Sequence, residues 1–137
     1  MEKLDGERSE NLWKMTILDD FCALSVTLKQ RADERRFEVY NKKGANRSVE
    51  LVTDVDLYSQ RILQATCESF HPGHDFFSEE LEGAKGVFNT KSKFVIVDPL
   101  DGTHNFVFGL PMWGFSYSRF DTMFNPLESY ISLPELN

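Results

Sequence analysis

The sequence predicts an α+β fold in which two helices pack on a mainly antiparallel sheet. In the first half of the chain, apolar residues recur at three- and four-residue steps, the periodicity of amphipathic helices. In the second half, short runs rich in β-branched and aromatic residues are separated by turn residues, as is typical of strands. Because helices come first and mostly antiparallel strands follow, with one short helix between them, the order of elements indicates a mixed α+β sandwich.

The first helix is predicted from about Leu12 to Val39, after a flexible lead-in of about eight or nine residues. Its last part, RADERR, is polar, and the following NKKGANRSVE is rich in turn residues, so the helix has ended by then. The apolar face of this helix consists of Leu12, Trp13, Ile17, Phe21, Leu24 and Leu28.

The second helix is predicted to begin after Thr53, a favourable N-cap residue. Asp56 lies three residues further on, where it completes a pattern that resembles a capping box. Pro72 and Gly73 break this helix within the sequence HPGH. Its predicted apolar face consists of Val55, Tyr58, Ile62, Thr66 and Phe70.

Four strands and one short helix are predicted in the second half of the chain. In order, they are the short strand FFS of FFSEE, an exposed hairpin or loop over Leu81–Lys93, the buried strand Phe94–Val97, a turn DPLDGT, the short helix in THNFVFG, the strand Trp113–Phe120, a turn at Asn125-Pro126 and the strand Tyr130–Leu133.

Composition excludes several classes of function. The chain of 137 residues has 15 basic and 22 acidic residues, a formal net charge of -7, so it lacks the basic surface of a nucleic-acid-binding protein or of a polybasic membrane anchor. Its first residues are charged and lack the apolar segment of a secretory signal, so a cytoplasmic location is expected. The two cysteines, Cys22 and Cys67, have no metal-ligand spacing and are expected to be reduced thiols.

Acidic residues stand at three points where an apolar strand ends or a helix begins. These are Asp56, the pair Glu79 and Glu80, and the pair Asp98 and Asp101. Singly, each has an ordinary explanation as a cap, a solvated loop or a polar turn. If the three points meet, however, their carboxylates repel one another, and a hard divalent cation relieves that repulsion. Ligands that are all oxygen suit Mg²⁺ better than zinc.

The segment DPLDGT has the composition of a metal and phosphate site. Pro99 holds Asp98 in an extended conformation, so that Asp98, the Leu100 carbonyl and Asp101 can face one point. Gly102 allows a ligand to approach the backbone, and the amides of Gly102 and Thr103 open the next helix, where a phosphate is favoured. Metal ions beside a phosphate site indicate metal-assisted phosphoryl transfer to water.

The motifs LVTDVD, SEE and VDPLDGTHNF, in this order and spacing, closely resemble those of the inositol monophosphatase family of Mg²⁺-dependent, lithium-sensitive phosphatases. The family pattern is LVTxxD, GEE and DP-[I/L]-DGT-x-NF, and the resemblance extends from about Ile17 to the end of the chain. It implies the layered α/β sandwich of the inositol monophosphatase/fructose-bisphosphatase type, a small phosphomonoester such as an inositol or sugar phosphate as substrate, and a homodimer for a full-length chain.

The resemblance also implies roles for individual residues. Glu79, Asp98 and the Leu100 carbonyl would hold one Mg²⁺, and Asp98 with Asp101 would hold part of a second. Thr103, oriented by Asp56 and working with Glu79, would help to activate the attacking water. The phosphate would be bound by the Gly102 and Thr103 amides, with His104 near enough to touch the substrate. His71 and His74 flank the helix break and are expected at the surface.

The chain departs from the family pattern at three points. Ser78 replaces the glycine of GEE, Phe108 stands where many members have histidine, and a W-D-x-A motif is missing, since Trp113 is followed by Gly114. The whole chain, 1–137, is therefore expected to be the N-terminal metal- and phosphate-binding part of such a domain without its C-terminal half. Little or no phosphatase activity is expected of it alone.

Two other interpretations remain open. In a haloacid-dehalogenase-like phosphatase, an apolar strand also ends in an aspartate followed by DGT, but the second acid comes after one residue, whereas two residues separate Asp98 from Asp101. Alternatively, the chain is a catalytically inactive domain that binds a metal or a partner.

Overall fold

A computed structural model of the chain describes residues 2–43, 49–81 and 91–136, with side chains described for 17–41, 50–81 and 91–136. The elements are α1 (Glu2–Asp33), β1 (Val39–Lys43), β2 (Val49–Thr53), α2 (Asp54–Phe70), β3 (Asp75–Ser78), β4 (Phe94–Asp101), α3 (Thr103–Phe108), β5 (Gly114–Phe120), β6 (Pro126–Ser132) and a short 3₁₀ turn over Pro134–Leu136. Helices packed on a mainly antiparallel sheet confirm the predicted α+β class.

The first helix is longer at its start and shorter at its end than the apolar pattern predicts. It already begins at Glu2, so the prediction of a flexible lead-in is wrong, and it ends at Asp33 rather than near Val39. The end is caused by Arg35, whose φ of 52° is left-handed, and by the Arg36 amide, which donates to the Arg31 carbonyl at 3.0 Å. This is the hydrogen bond of a Schellman-type helix end, formed here without glycine.

The segment predicted to be turn-rich contains most of a two-stranded hairpin. Strands β1 and β2 pair antiparallel, with Val39 opposite Thr53, and residues 44–48 lie outside the described part of the chain. The prediction missed these strands because the apolar residues of VYNKK and VELVT do not alternate regularly with polar ones along either strand. The hairpin delivers the chain directly to Thr53, the N-cap of α2.

The second helix is confirmed at both ends, with Thr53 and Asp56 forming a capping box and the helix closing at Phe70 before the Pro72-Gly73 break. Its buried face is broader than predicted. Tyr58, Ile62 and Phe70 are only partly buried, whereas the fully buried set is Val55, Asp56, Ser59, Gln60, Leu63, Thr66 and Cys67. Four of these residues carry oxygen-containing polar side chains, so apolar periodicity alone underestimated the face.

The four-stranded sheet has the order β3-β4-β5-β6. Strands β4, β5 and β6 pair antiparallel, as predicted, but β3 and β4 run parallel. Strand β4 extends through the predicted turn to Asp101, with a register shift between Asp98 and Asp101 that is typical of a β-bulge. Strand β6 begins at Pro126, four residues before the predicted Tyr130.

The core lies between the two long helices and the sheet. The predicted face of α1 is confirmed where side chains are described, since Ile17, Phe21, Leu24 and Leu28 are all buried. The Phe21 ring packs against the rings of Tyr117 and Tyr130 of the sheet, with centroids 5.2 and 5.0 Å away. Burial of these apolar side chains fixes both helices on one face of the sheet.

Both cysteines are free thiols, Cys22 exposed and Cys67 buried. Most of the loop predicted over Leu81–Lys93 lies outside the described residues. In the described part of the chain, no helix combines the length and the apolar character needed to cross a membrane.

Candidate functional site

The parallel pairing of β3 with β4 brings two predicted acids to the same edge of the sheet. Ser78, the last residue of β3, lies opposite Val97 of β4. Parallel strands run towards the same edge, so Glu79, which follows β3, comes next to Asp98, which continues β4 and pairs with Ser116 of β5. Antiparallel pairing would have put them at opposite ends. The strand direction therefore brings Glu79 and Asp98 together at one edge of the sheet, which we call the acidic edge.

A third acid reaches this edge from the start of α2. Asp56 is only 1% exposed, and its Oδ2 accepts hydrogen bonds from the Thr53 amide at 2.8 Å and from the Thr53 hydroxyl at 2.5 Å. The capping box thus holds the carboxylate in one orientation. Its other oxygen, Oδ1, is turned towards the end of β4.

Thr103 connects this carboxylate to the bulged end of β4. Its hydroxyl lies 2.9 Å from Asp56 Oδ1 and 3.0 Å from the Leu100 carbonyl oxygen, two acceptors that share its single hydrogen. The contact between Asp56 and Thr103 has the geometry that the predicted orientation of Thr103 requires. The catalytic role of the pair stays a prediction.

Gly102 is required at the junction of β4 and α3 for two reasons. Its φ of 79° lies in the left-handed region, and a Cβ built there would be 2.6 Å from the Met112 carbonyl oxygen. The same carbonyl accepts a hydrogen bond from Asn105 Nδ2 at 2.7 Å. The turn that presents the first amides of α3 is therefore packed tightly against the segment before β5.

Asp98 is the most perturbed acid of the edge. Burial raises its pKa to about 6, and the carboxylates of Glu79, Asp101 and Asp56 raise it in that order, against the Leu100 amide, which lowers it. Within the described part of the chain, its buried Oδ1 has no hydrogen-bond partner. A buried carboxylate oxygen without a donor, surrounded by other acids, is electrostatically suited to a cation.

Burial also raises the pKa of Asp56, and the Glu80 carboxylate adds to that effect. The hydrogen bonds from Thr53 and Thr103 act in the opposite direction because they stabilise the ionised form. Asp56 and Asp98 are thus two buried or half-buried carboxylates whose ionised forms are disfavoured by burial and by neighbouring acids. Positive charge placed between them would lower the free energy of both ionised groups.

The predicted metal ligands, Glu79, Asp98, the Leu100 carbonyl and Asp101, are near one edge but do not form a closed shell. Asp98 is half-buried and Leu100 buried, while Glu79 and Asp101 are exposed. Across the ranges that the structure describes, no group of three or more His, Cys, Asp or Glu side chains is arranged to hold a metal. The all-oxygen chemistry and the unbonded Asp98 oxygen fit Mg²⁺.

The remaining residues singled out by the sequence, His104, Phe108 and His71, differ in their exposure. His104 is exposed at the start of α3, and Phe108 is 70% exposed at its end. His71 was expected at the surface, but it is 9% exposed, and its Nδ1 lies 2.6 Å from the Tyr117 hydroxyl. That expectation is wrong because the helix break turns His71 back onto β5. The sequence carried no signal for this long-range contact.

Ser78, which replaces a glycine of the family pattern, is also more than a turn residue. It is 4% exposed, and its hydroxyl donates to Gln60 Oε1 at 2.9 Å. Gln60 was not among the predicted site residues. Gln60 lies on a side of α2 that the apolar pattern predicts to be polar. The sequence alone therefore does not indicate that it is buried next to the end of β3.

The fold and the acidic edge define an α+β protein with a candidate site for a cation and a phosphate. The model of the inositol monophosphatase family matches residues 18–116. An inositol monophosphatase of Mesembryanthemum crystallinum is 40% identical over 98 residues, which are 69% of this chain and 36% of that protein. The chain belongs to the inositol monophosphatase family.

Solved structures show the same fold. The IMPase of Thermotoga maritima superposes with a TM-score of 0.70 at 26% identity, over 100% of this chain and 46% of that one. An IMPase/NADP phosphatase complexed with Mg²⁺ and phosphate superposes with a TM-score of 0.61 at 23% identity, over 88% of this chain and 46% of that one. The chain thus spans less than half the length of these relatives.

Proposed function

We propose that the chain forms the metal- and phosphate-binding part of a Mg²⁺-dependent phosphomonoesterase that hydrolyses a small phosphate ester, such as an inositol or sugar phosphate. One observation carries the proposal. Glu79, directly after β3, lies next to Asp98 of the parallel strand β4, at the edge where the Thr103 hydroxyl donates to Asp56 Oδ1 at 2.9 Å. Family membership supports the same chemistry.

In this proposal, Glu79, Asp98 and the Leu100 carbonyl hold one Mg²⁺, and Asp98 and Asp101 contribute to a second. Mg²⁺ supplies positive charge that makes water more acidic and stabilises the charge that develops on the transferred phosphoryl group and the leaving alkoxide. The relative solved with Mg²⁺ and phosphate supports this choice of ion. The raised pKa of Asp98 and its unbonded Oδ1 supply a reason for the fold to bind a cation there.

The chain's own residues would position and deprotonate the water. Because Asp56 accepts the Thr103 hydrogen, the lone pairs of Thr103 Oγ1 are free to accept a hydrogen bond from a water at the acidic edge. Glu79 then takes the proton of that water as the general base. The hydrogen bonds from Thr53 and Thr103 stabilise the ionised form of Asp56 and oppose the effect of burial, which raises its pKa.

The phosphate would lie at the start of α3. The first amides of a helix have no intrahelical acceptor, so the amides of Gly102 and Thr103 are available to phosphate oxygens. Gly102 permits the left-handed turn that places these amides, since a Cβ there would meet the Met112 carbonyl oxygen. His104, exposed beside them, would contact the ester.

The test measures binding and turnover on the same 137-residue chain. Titration calorimetry with Mg²⁺, followed by inorganic phosphate, should show binding that Asp98→Asn abolishes. Asp75→Asn is the matched control, because exposed Asp75 lies at the opposite end of β3, paired with Phe94. Release of phosphate from inositol 1-phosphate measures turnover. A wild-type chain that binds neither ion would contradict the proposal.

A second candidate is a domain that binds metal without catalysis. It is favoured by the open arrangement of the acids, since the described residues include no ready group of three metal-binding side chains. Mg²⁺ binding that Asp98→Asn removes is expected of both candidates, whereas measurable Mg²⁺-dependent phosphate release by the wild-type chain would exclude this one.

A further inference from the structure

A neutral side-chain pair is buried directly beneath the acidic edge. Ser78 closes β3 and is 4% exposed, and its hydroxyl donates to Oε1 of Gln60, which is 8% exposed, at 2.9 Å. A hydrogen bond removed from water resists breaking, because separation leaves a buried donor and a buried acceptor without partners. The pair therefore fixes the end of β3 to α2.

Ser78 also shapes the turn that carries the two glutamates. Its hydroxyl oxygen lies 3.4 Å from the Glu80 amide nitrogen, and its carbonyl accepts from the Leu81 amide at 3.2 Å. Both contacts close the chain back over Ser78 immediately after the strand. The direction in which Glu79 leaves the sheet is thus set by the residue that Gln60 holds.

The same face of α2 holds the end of β4 as well. Gln60 follows Asp56 by four residues, one helical turn, so the two side chains lie one above the other. Asp56 contacts Thr103 after β4, and Gln60 contacts Ser78 at the end of β3. One turn of one helix therefore sets the positions of both strand ends relative to each other.

We propose that the Gln60–Ser78 pair positions Glu79 relative to Asp98 and so raises the affinity of the acidic edge for Mg²⁺. Ser78 and Gln60 are positioning residues that touch neither metal nor substrate, and the inference rests on the proposed function. A glycine at position 78, as in the family pattern, has no hydroxyl to make either side-chain contact. In this chain, Ser78 lacks the conformational freedom of glycine and instead forms a hydrogen bond with Gln60 of α2.

The test compares Mg²⁺ affinity, measured by titration calorimetry, among five variants of the whole chain. Ser78→Ala and Gln60→Leu each remove one partner, and the double variant removes both. Ser78→Thr keeps the hydroxyl. The control is Ser25→Ala, which removes a partly buried hydroxyl on α1 that contacts the Phe21 carbonyl at 2.8 Å and the Ser132 hydroxyl at 2.5 Å. Urea unfolding of each variant confirms that it is folded.

Ser78→Ala and Gln60→Leu are each expected to weaken Mg²⁺ binding roughly 10-fold, the lower end of the effect of losing a residue that orients a ligand. The double variant should bind Mg²⁺ about as tightly as the weaker-binding single variant, because both substitutions break the same hydrogen bond between Gln60 and Ser78. Ser78→Thr should restore wild-type affinity, and Ser25→Ala should retain it. Amide hydrogen exchange at Glu80, without metal, should accelerate in Ser78→Ala and not in Ser25→Ala.

Folded Ser78→Ala and Gln60→Leu variants with wild-type Mg²⁺ affinity would overturn the inference and leave the proposed function standing. A weakening in Ser25→Ala equal to that in Ser78→Ala would also overturn it, because the effect would then follow stability and not position. A wild-type chain that does not bind Mg²⁺ would overturn the proposed function, and this inference with it.

Discussion

The Thr103 hydroxyl donates a hydrogen bond to Asp56 Oδ1 at 2.9 Å across a sequence separation of 47 residues. The bond joins the first residue of α3 to the capping box of α2. It uses the carboxylate oxygen that Thr53 leaves available, since both Thr53 contacts go to Oδ2. A local helix cap thus becomes part of a long-range site.

Replacing Thr103 with valine keeps the side-chain shape but removes the donor. Asp56 then loses one of its hydrogen bonds while it remains buried, which should lower the free energy of unfolding by about 1–3 kcal/mol. Thr103→Ser retains the hydroxyl and should lose less. Urea denaturation of both variants measures the difference, and equal stability of the valine and serine variants would show that the bond contributes nothing.

Asp98→Asn should stabilise the metal-free chain at neutral pH. Because the folded-state pKa of about 6 lies above the ordinary value, the contribution of Asp98 is fully present at low pH and is lost as pH rises through that pKa. Near neutrality the ionised carboxylate therefore destabilises the fold, and its removal should raise the free energy of unfolding by about 1–2 kcal/mol. Urea unfolding in the presence of a chelator measures it.

Mg²⁺ should change the stability of only one protein of this pair. Saturating Mg²⁺ should stabilise the wild-type chain, because a ligand that binds only the folded state adds to its stability, and should leave Asp98→Asn unchanged. Equal stabilisation of both proteins by Mg²⁺ would place the ion elsewhere.

Gly102→Ala should be much more damaging than Gly73→Ala, although both glycines have a φ of 79°. The left-handed backbone costs a non-glycine residue about 1–2 kcal/mol at either position. Only at Gly102 does a new Cβ meet a backbone atom, the Met112 carbonyl oxygen at 2.6 Å, whereas at Gly73 no atom of the described structure lies within 4 Å. The difference in thermal stability between the two variants measures the steric cost at Gly102. Equal losses of stability would contradict the close approach of its Cβ to the Met112 carbonyl oxygen.

His71 should titrate below its ordinary range. Burial lowers its pKa, the Arg119 guanidinium lowers it further, and the Glu128 carboxylate, 3.2 Å from Nε2, raises it. Glu128→Gln should therefore lower the His71 pKa further, as followed by NMR of the imidazole. Glu50→Gln, in the exposed hairpin, is the control. An unchanged or higher pKa in Glu128→Gln would refute this electrostatic picture.

The shift of His71 also affects stability. Since the folded-state pKa lies below the unfolded value, the stability due to neutral His71 is present above the unfolded pKa and is lost as pH falls through the folded one. Urea unfolding of the wild-type chain, measured as the pH falls through the folded-state pKa of His71, should show this loss of stability.

Local chemistry explains what was predictable. The cap at Thr53 and Asp56 involves hydrogen bonds within three residues, and the Gly102 turn with its short helix is specified by adjacent residues, so both were recognised directly. The hairpin of β1 and β2 was missed because its apolar residues do not alternate regularly with polar ones. The burial of Gln60 and His71 was missed because each has its partner on a distant element, Ser78 and Tyr117 respectively.

The sequence by itself determined the α+β class, the family and the identity of the acids, because those depend on periodicity, composition and motif spacing within short segments. Only the tertiary structure decided that β3 runs parallel to β4 and that one turn of α2 reaches both strand ends. Strand direction is set by which apolar faces can be buried together, and no single segment contains that information. It is this pairing that places Glu79 beside Asp98.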